Sequence, residues 1–233
     1  MINIFYLNKV DTTMKEVKKY PPDSLVVANE QTNGRGKDDR IWQSAKSNNI
    51  YASLLLETKN SRINYSNYTF LTSLAIAKTI IKLISSQTKI NCKWPNDVLI
   101  NNKKFCGILL ERDILNSTLV VGFGVNINYH PNIVDKISFE ATDLLTEGFI
   151  IDRKQFMENF VNIFDALDKE FQVVGFDRIR NEWLSFAYNF GKTITVKIKD
   201  KEFEGIFEEL DEDGTLILNT KNGRKRILSA DVF

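Results

Sequence analysis

Residues 2 to 9 alternate between apolar and polar positions and predict a strand at the start of the chain. Thr13-Met14-Lys15-Glu16 has the spacing of a capping box led by Thr13, so a short helix is expected before Pro21-Pro22 stops it. Ser24 to Ala28 reads as a buried strand, and strand character returns at Ile50 to Leu56. The stretch between them, Glu30 to Asn49, is polar, carries glycines and is long for an inert connection, which marks it as a candidate binding loop. From Tyr65 to Ser85 the apolar residues Leu71, Leu74, Ala75, Ala77, Ile80, Ile81 and Ile84 recur at helical spacing, the clearest helix in the chain.

Three short strands are expected at Lys89 to Lys93, Val98 to Ile100 and Lys104 to Glu111, with Asn101-Asn102 suited to the turn between the last two. Ser117 to Gly122 reads as a further strand leading into Gly122-Phe123-Gly124-Val125-Asn126. A long helix is expected from Asp152, with Gln155 in capping-box position, to Phe171, and a shorter one from Phe176 to Phe186. The character changes near Tyr188 to Gly191. From Lys192 onward four or five short strands with turns at Asp213-Gly214 and Asn222-Gly223 predict a small barrel-like tail. The chain therefore divides into residues 1–188 and residues 189–233.

Composition narrows the function without choosing it. A length of 233 residues suits one medium domain and one small one, and 43% hydrophobic with 26% charged residues is ordinary globular composition. The longest apolar runs are too short to span a bilayer, and the N-terminus lacks the features of a secretory signal, so a cytoplasmic protein with no membrane partner is expected. Cys92 and Cys106 have neither metal-ligand spacing nor a disulfide framework and read as buried thiols in a reducing compartment. A net charge of +1 speaks against nonspecific DNA binding. The single histidine, His130, precedes Pro131 and reads as an ordinary loop residue.

Three segments carry chemistry. In Gln31-Thr32-Asn33-Gly34-Arg35-Gly36-Lys37-Asp38-Asp39-Arg40-Ile41-Trp42 the glycines let backbone N–H groups approach an anion, and Arg35, Lys37 and Arg40 supply charged donors. Alone, that pattern is more often a solvated turn. Lys93-Trp94-Pro95-Asn96-Asp97, followed by Lys103-Lys104-Phe105-Cys106-Gly107-Ile108-Leu109, is either a strand end with a basic hairpin or a phosphoryl-transfer site. In the second reading Asp97 and Asn96 suit Mg²⁺, and the lysines converge on a transition state. Gly122-Phe123-Gly124-Val125-Asn126-Ile127-Asn128 is either a bulged strand end or a floor for a flat ligand, with Asn126 reading a purine edge.

Taken in order, Asp11-Thr12-Thr13 and these three segments closely resemble the biotin protein ligases over almost the whole chain, and Lys-Trp-Pro-Asn-Asp is the most specific element. The resemblance implies an α+β fold, with a class II synthetase-like catalytic domain whose mixed β-sheet is flanked by helices, and an SH3-like β-barrel at the C-terminus. It implies ATP-dependent formation of biotinyl-5′-AMP, with Mg²⁺, and transfer to a lysine of a biotin carboxyl carrier protein or domain of a carboxylase such as acetyl-CoA carboxylase. The implied biotin contacts are Thr12, Thr13, Met14, Gln31, Gly34, Arg35, Gly36, Lys37, Lys104 and Gly107. The implied ATP contacts are Arg35, Lys37, Arg40, Trp42, Lys93, Asn96, Lys104 and Asn126, and the implied catalytic groups are Lys104, Arg35, Lys93 and Asp97. The matching residues begin at Asp11, so no winged helix-turn-helix and no repressor activity are expected; oligomeric state stays open.

The sequence also departs from the family. Asp38 and Asp39 stand where basic residues and a third glycine are usual, Met14 stands where asparagine is common, and a basic residue sometimes found at the C-terminal end is missing. Two other functions compete. A lipoate or octanoate ligase would share the fold, and a non-catalytic biotin sensor would share the pocket; retention of Lys104, Arg35 and Asp97 together favours an enzyme.

Overall fold

The computed structural model describes residues 2–37, 40–44, 49–60, 63–84, 87–130, 140–199 and 201–232. Strands β1 (Asn3–Val10) and β2 (Ser24–Gln31) run parallel, and a parallel pair needs a crossover. Helix α1 (Thr13–Glu16) and the 3₁₀ turn Val17–Lys19 supply it. The helix cap is Thr12, whose side chain accepts from the Met14 N–H, and not Thr13 as the capping-box spacing predicted. The Thr13 hydroxyl is engaged elsewhere, on Gln31 and Ser53, and a side chain committed to tertiary contacts cannot cap.

Next come β3 (Ile50–Glu57), α2 (Tyr68–Leu83), β4 (Ile90–Lys93), β5 (Asp97–Ile100), β6 (Lys103–Asp113) and β7 (Thr118–Val125). The seven strands form one mixed sheet in the order β1-β2-β3-β7-β6-β5-β4, antiparallel except for the first pair. Asn101 and Asn102 both adopt positive φ at the β5–β6 turn, which their short polar side chains tolerate. Helices α3 (Arg153–Val174) and α4 (Phe176–Phe186) follow, and Asp152 caps α3 by accepting from the Gln155 N–H at 2.7 Å.

Strand alternation sorts the sheet into two faces. Leu25, Val27, Leu54, Leu119, Val121 and Phe123 face α2, α3 and α4, where Phe123 meets Phe160 with ring centroids 4.7 Å apart. Val26, Leu55 and Val120 face the other way and pack with Met14 and Val17 of the crossover. Because both faces of β2 and β3 are covered, these strands read as nearly continuous apolar runs. On the second face β7 continues from Val120 as Gly122 and Gly124, beside Ser53 of β3 and Gly107 of β6. Small residues there leave a hollow.

The C-terminal part holds β8 (Thr193–Ile198), β9 (Lys201–Leu210), β10 (Leu216–Thr220), β11 (Gly223–Ile227) and β12 (Asp231–Val232) in an antiparallel sheet ordered β11-β10-β9-β8-β12. This agrees with an SH3-like domain, although no pairing closes β11 onto β12 among the described residues. The sheet is docked on the larger part through Trp94, whose indole N–H donates to the Gly214 carbonyl at 3.0 Å. Gly214 has φ +80, and a Cβ there would lie 2.2 Å from the Phe70 ring, so only glycine fits this turn. No described helix is long and apolar enough to cross a membrane.

Candidate active site

Two of the expected polar residues, Thr13 and Gln31, converge with two serines at one end of the hollow. Gln31 Oε1 accepts from the Thr13 backbone N–H at 2.7 Å and from its hydroxyl at 3.1 Å, while Gln31 Nε2 donates to Ser44 Oγ at 3.0 Å. Thr13 Oγ1 also lies 2.8 Å from Ser53 Oγ. Every member is held by another, which preorganises a set of uncharged donors and acceptors. Ser44 and Ser53, absent from the expected set, carry no sequence signal because each is placed by tertiary pairing.

The other end is charged, and a β-bulge aims it. Val98 pairs with Cys106 and Leu99 with Lys104, so Phe105 is an extra residue in β6. Lys104 and Gly107 are three apart, and regular alternation would put them on opposite faces; the bulge brings both to the hollow. The Lys104 ammonium lies 2.7 Å from Asp97 Oδ1, off the axis of a good hydrogen bond, and 5.7 Å from the Trp42 ring centroid. β7, by contrast, pairs regularly through Val125, so the bulged strand end sits in β6 and not at Gly122 to Asn126.

Lys93 pairs directly with Asp97 across β4 and β5 and is only 9% exposed. Burial lowers its ammonium to about 8, against the pull of Asp97 and with repulsion from Lys104. A nucleotide phosphate beside it would favour the charged form again. Between about pH 8 and the ordinary lysine range, binding of a polyphosphate at this end should therefore take up a proton at Lys93, and below about pH 7 it should not. Calorimetric titration with ATP at pH 8.5 in two buffers of different ionisation heat should show fractional proton uptake that Lys93→Met abolishes; equal heats in both buffers would remove the assignment.

Trp42 forms the floor between the two ends. Gly107 and Gly124 are partners across β6 and β7, and a Cβ would meet the Trp42 indole at 2.9 Å from the first and 2.4 Å from the second. The glycines thus seat a tryptophan, where the sequence suggested a flat ligand. Trp42 Nε1 is buried with no hydrogen-bond partner among the described residues. The Trp42 backbone N–H donates to the Gly34 carbonyl and the Gly36 N–H to the Arg40 carbonyl, pairing residues 34–36 with residues 40–42 as the two arms of a narrow hairpin over the hollow.

The hollow has a volume of about 580 Å³ and is open on one side. Thr12, Thr13, Met14, Gln31, Arg35, Gly36, Lys37, Arg40 and Trp42 line it, as do Lys93, Asn96, Asp97, Lys104, Gly107 and Asn126. Its size and its division into an uncharged and a cationic end suit a small polar molecule joined to a polyphosphate.

The sequence profile of the Biotin/lipoate A/B protein ligase family matches residues 6–128, and that of the Biotin protein ligase C terminal domain matches residues 190–233. The chain belongs to the biotin/lipoate A/B protein ligase family. Among its relatives, the biotin--[acetyl-CoA-carboxylase] ligase of Paracoccus denitrificans is 31% identical over 97% of this chain and 98% of that protein. The bifunctional ligase/repressor BirA of Bacillus subtilis is 34% identical over 91% of this chain, which spans 66% of that protein's length. The biotin protein ligase from Aquifex aeolicus, solved in complex with biotin and ATP, superposes with a TM-score of 0.85 at 27% identity, covering 100% of this chain and 98% of that one.

Within this family member the structure separates the expected site residues into three groups. Most line the hollow directly. Gly34 does not: it is buried behind Trp42, where a Cβ would lie 2.3 Å from the Trp42 carbonyl oxygen and 2.5 Å from Ser44 Oγ, so it closes the hairpin and contacts no ligand space. Asn126 and Asn96 line it with their amide nitrogens committed, to the Thr142 carbonyl at 3.1 Å and the Ile108 carbonyl at 2.7 Å. A purine edge would thus meet the other side of the Asn126 amide. Asp38 and Asp39 lie outside the described residues.

Asp231 was missed by sequence reasoning. It comes from the C-terminal sheet, lines the hollow beside Ala230 and Val232, and accepts from Arg40 Nη2 at 3.1 and 3.0 Å. No local pattern marks it, since the partners are 191 positions apart and meet through the docking of the two sheets. His130 also has a partner: its Nδ1 lies 2.6 Å from Asp143 Oδ2, which in turn accepts from Thr146 and fixes the segment that covers Asn126. Burial pushes the Cys92 thiol up to about 12 and the Cys106 thiol well above its ordinary value, so neither is a nucleophile at neutral pH.

Proposed function

We propose that this chain is a biotin protein ligase that makes biotinyl-5′-AMP from biotin and ATP and transfers the biotinyl group to a lysine of a biotin carboxyl carrier protein or domain. The observation that carries the reading is the single hollow with uncharged polar groups around Gln31 at one end and Lys93, Lys104 and Arg40 at the other. The names of the relatives and the bound ligands of the Aquifex enzyme favour biotin over lipoate.

Thr12, Thr13 and Gln31 would hold the ring end of biotin, with Met14 and the glycines giving apolar contact. Biotin's carboxylate is ionised at neutral pH and needs no general base to attack the α-phosphate. A new C–O–P bond forms, the bond between the α- and β-phosphates breaks, and pyrophosphate leaves. Lys104, Lys93, Arg35 and Arg40 would neutralise the crowded phosphoryl oxygens. The carrier amine then attacks the acyl carbon, the C–O bond breaks and AMP departs with its electron pair. Asp97 would orient that amine and receive its proton.

Magnesium fits this site only in part. No cluster of three metal-ligating side chains occurs among the described residues, and Asp97 already faces Lys104. Asp97 and Asn96 therefore suit an ion held mainly by nucleotide phosphates and water, where it would add positive charge at the transferring phosphoryl group.

The proposal includes a catalytic domain of residues 1–188 and an SH3-like domain of residues 189–233, action in the cytoplasm, a carboxylase such as acetyl-CoA carboxylase as the carrier's parent, and no DNA partner. The near-neutral charge and the two free buried cysteines support the last and the location. Exchange of labelled pyrophosphate into ATP should depend on biotin. Equal stimulation by lipoate, or none by biotin, would overturn the assignment.

A further inference from the structure

Of the two hairpin arms, residues 40–42 are fixed by Trp42 on its glycine seat, and residues 34–37 by a carboxylate that the site as described does not use. Glu111 lies on β6, four residues along from Gly107 and on the same face. Its Oε2 accepts from Arg35 Nη1 at 3.0 Å, and its Oε1 pairs with Lys18 of the 3₁₀ turn that follows α1. One carboxylate thus joins three elements: the strand that carries Lys104, the hairpin that carries Arg35, and the crossover that carries Thr12 and Thr13. Lys18, and then Arg35, hold the Glu111 carboxyl below its usual range, so it is charged at every pH at which the enzyme would work.

We infer that Glu111 is the positioning residue of the phosphate hairpin, setting Arg35 over the hollow and tying the hairpin, through Lys18, to the end that would bind the biotin ring. This rests on the adenylating function proposed above. Glu111 does not line the hollow and acts only through Arg35. The geometry has a directional consequence. The guanidinium that would meet the adenylate phosphate is already oriented, and it loses less freedom on binding than an untethered side chain would.

The pair is partly exposed, with side-chain accessibilities of 46% for Arg35 and 33% for Glu111, so the effect of losing it is modest. In the full-length chain, Glu111→Gln, Arg35→Met and the double variant are compared with the wild type. Two quantities are read: loss of preformed labelled biotinyl-AMP in excess unlabelled intermediate, and trypsin cleavage after Lys37 in the ligand-free protein. Glu111→Gln should speed both about fivefold. The double variant should release the intermediate no faster than Arg35→Met alone, because Glu111 acts through Arg35. Lys18→Met should shift cleavage in the same direction by less. Wild-type release and cleavage in Glu111→Gln, or additive effects in the double variant, would overturn the inference and leave a surface ion pair. If the wild type makes no biotinyl-AMP, the proposed function fails, and the cleavage arm still decides whether Glu111 anchors the hairpin.

Discussion

Replacing Lys104 with alanine should lower biotin-dependent pyrophosphate exchange by about 10²–10³-fold, the scale of losing one preorganised charged donor at a transition state. Lys104 is the one cation that the bulge at Phe105 turns onto the site face, and its ammonium lies between Asp97 and the Trp42 ring. No other lysine of β6 reaches there: Lys103 is directed to Glu140 and Glu147. Removal should leave the fold intact, because the Lys104 backbone keeps its bonds to Glu140 and Thr142 and the side chain is partly solvated. The loss should appear mainly in kcat, since the charge matters most as the phosphoryl oxygens crowd. A Lys104→Ala protein with an unchanged melting temperature and near-normal exchange would remove Lys104 from the chemistry.

That outcome depends on a feature the sequence does not display. The long helices were legible, since the periodicity of residues 65 to 85 and the Asp152 cap depend on neighbours a few positions away, and the helices span Tyr68–Leu83 and Arg153–Val174. The strands of the main sheet were legible as well, with β7 running further than predicted, to Val125, because its glycines stay in register. The α+β class came with the family resemblance, whereas the short strands after Tyr188 predicted a barrel-like tail, and the structure holds them as one antiparallel sheet.

What escaped was long-range geometry. Thr12 and Thr13 are adjacent and chemically alike, and only the position of Gln31 and Ser53 decides which of them caps the helix. The bulge at Phe105 is invisible locally, since Lys104 to Leu109 alternates no better in one register than in another. Gly107 and Gly124 show that something approaches the sheet closely, without showing that it is a tryptophan of the same chain. Asp231 and Glu111 anchor Arg40 and Arg35, and neither belongs to a pattern that names its partner.

The seat of Trp42 gives the second large effect. Gly124→Ala would place a methyl group 2.4 Å from Trp42 Cε2 and 2.5 Å from its Nε1, well inside van der Waals contact, so the indole must leave its seat. Stability should change little. β7 is a central strand in which alanine is tolerated, and Trp42 stands on a hairpin that can yield where a helix or strand would not. Catalysis should suffer more, because the indole forms the floor between the two ends of the hollow and faces Lys104. A displacement of about an ångström in such a positioning group costs roughly 10²-fold. Intrinsic fluorescence should report the move: Trp94 and Trp183 are buried, and the change in emission that Gly124→Ala causes should be absent in a Trp42→Ala background. The double variant Gly124→Ala/Trp42→Ala should be no worse than Trp42→Ala, since the methyl group then has nothing to displace. Full exchange activity and unchanged emission in Gly124→Ala would mean that the sheet, and not the tryptophan, gives way at this contact, and the paired glycines would then have no part in the site.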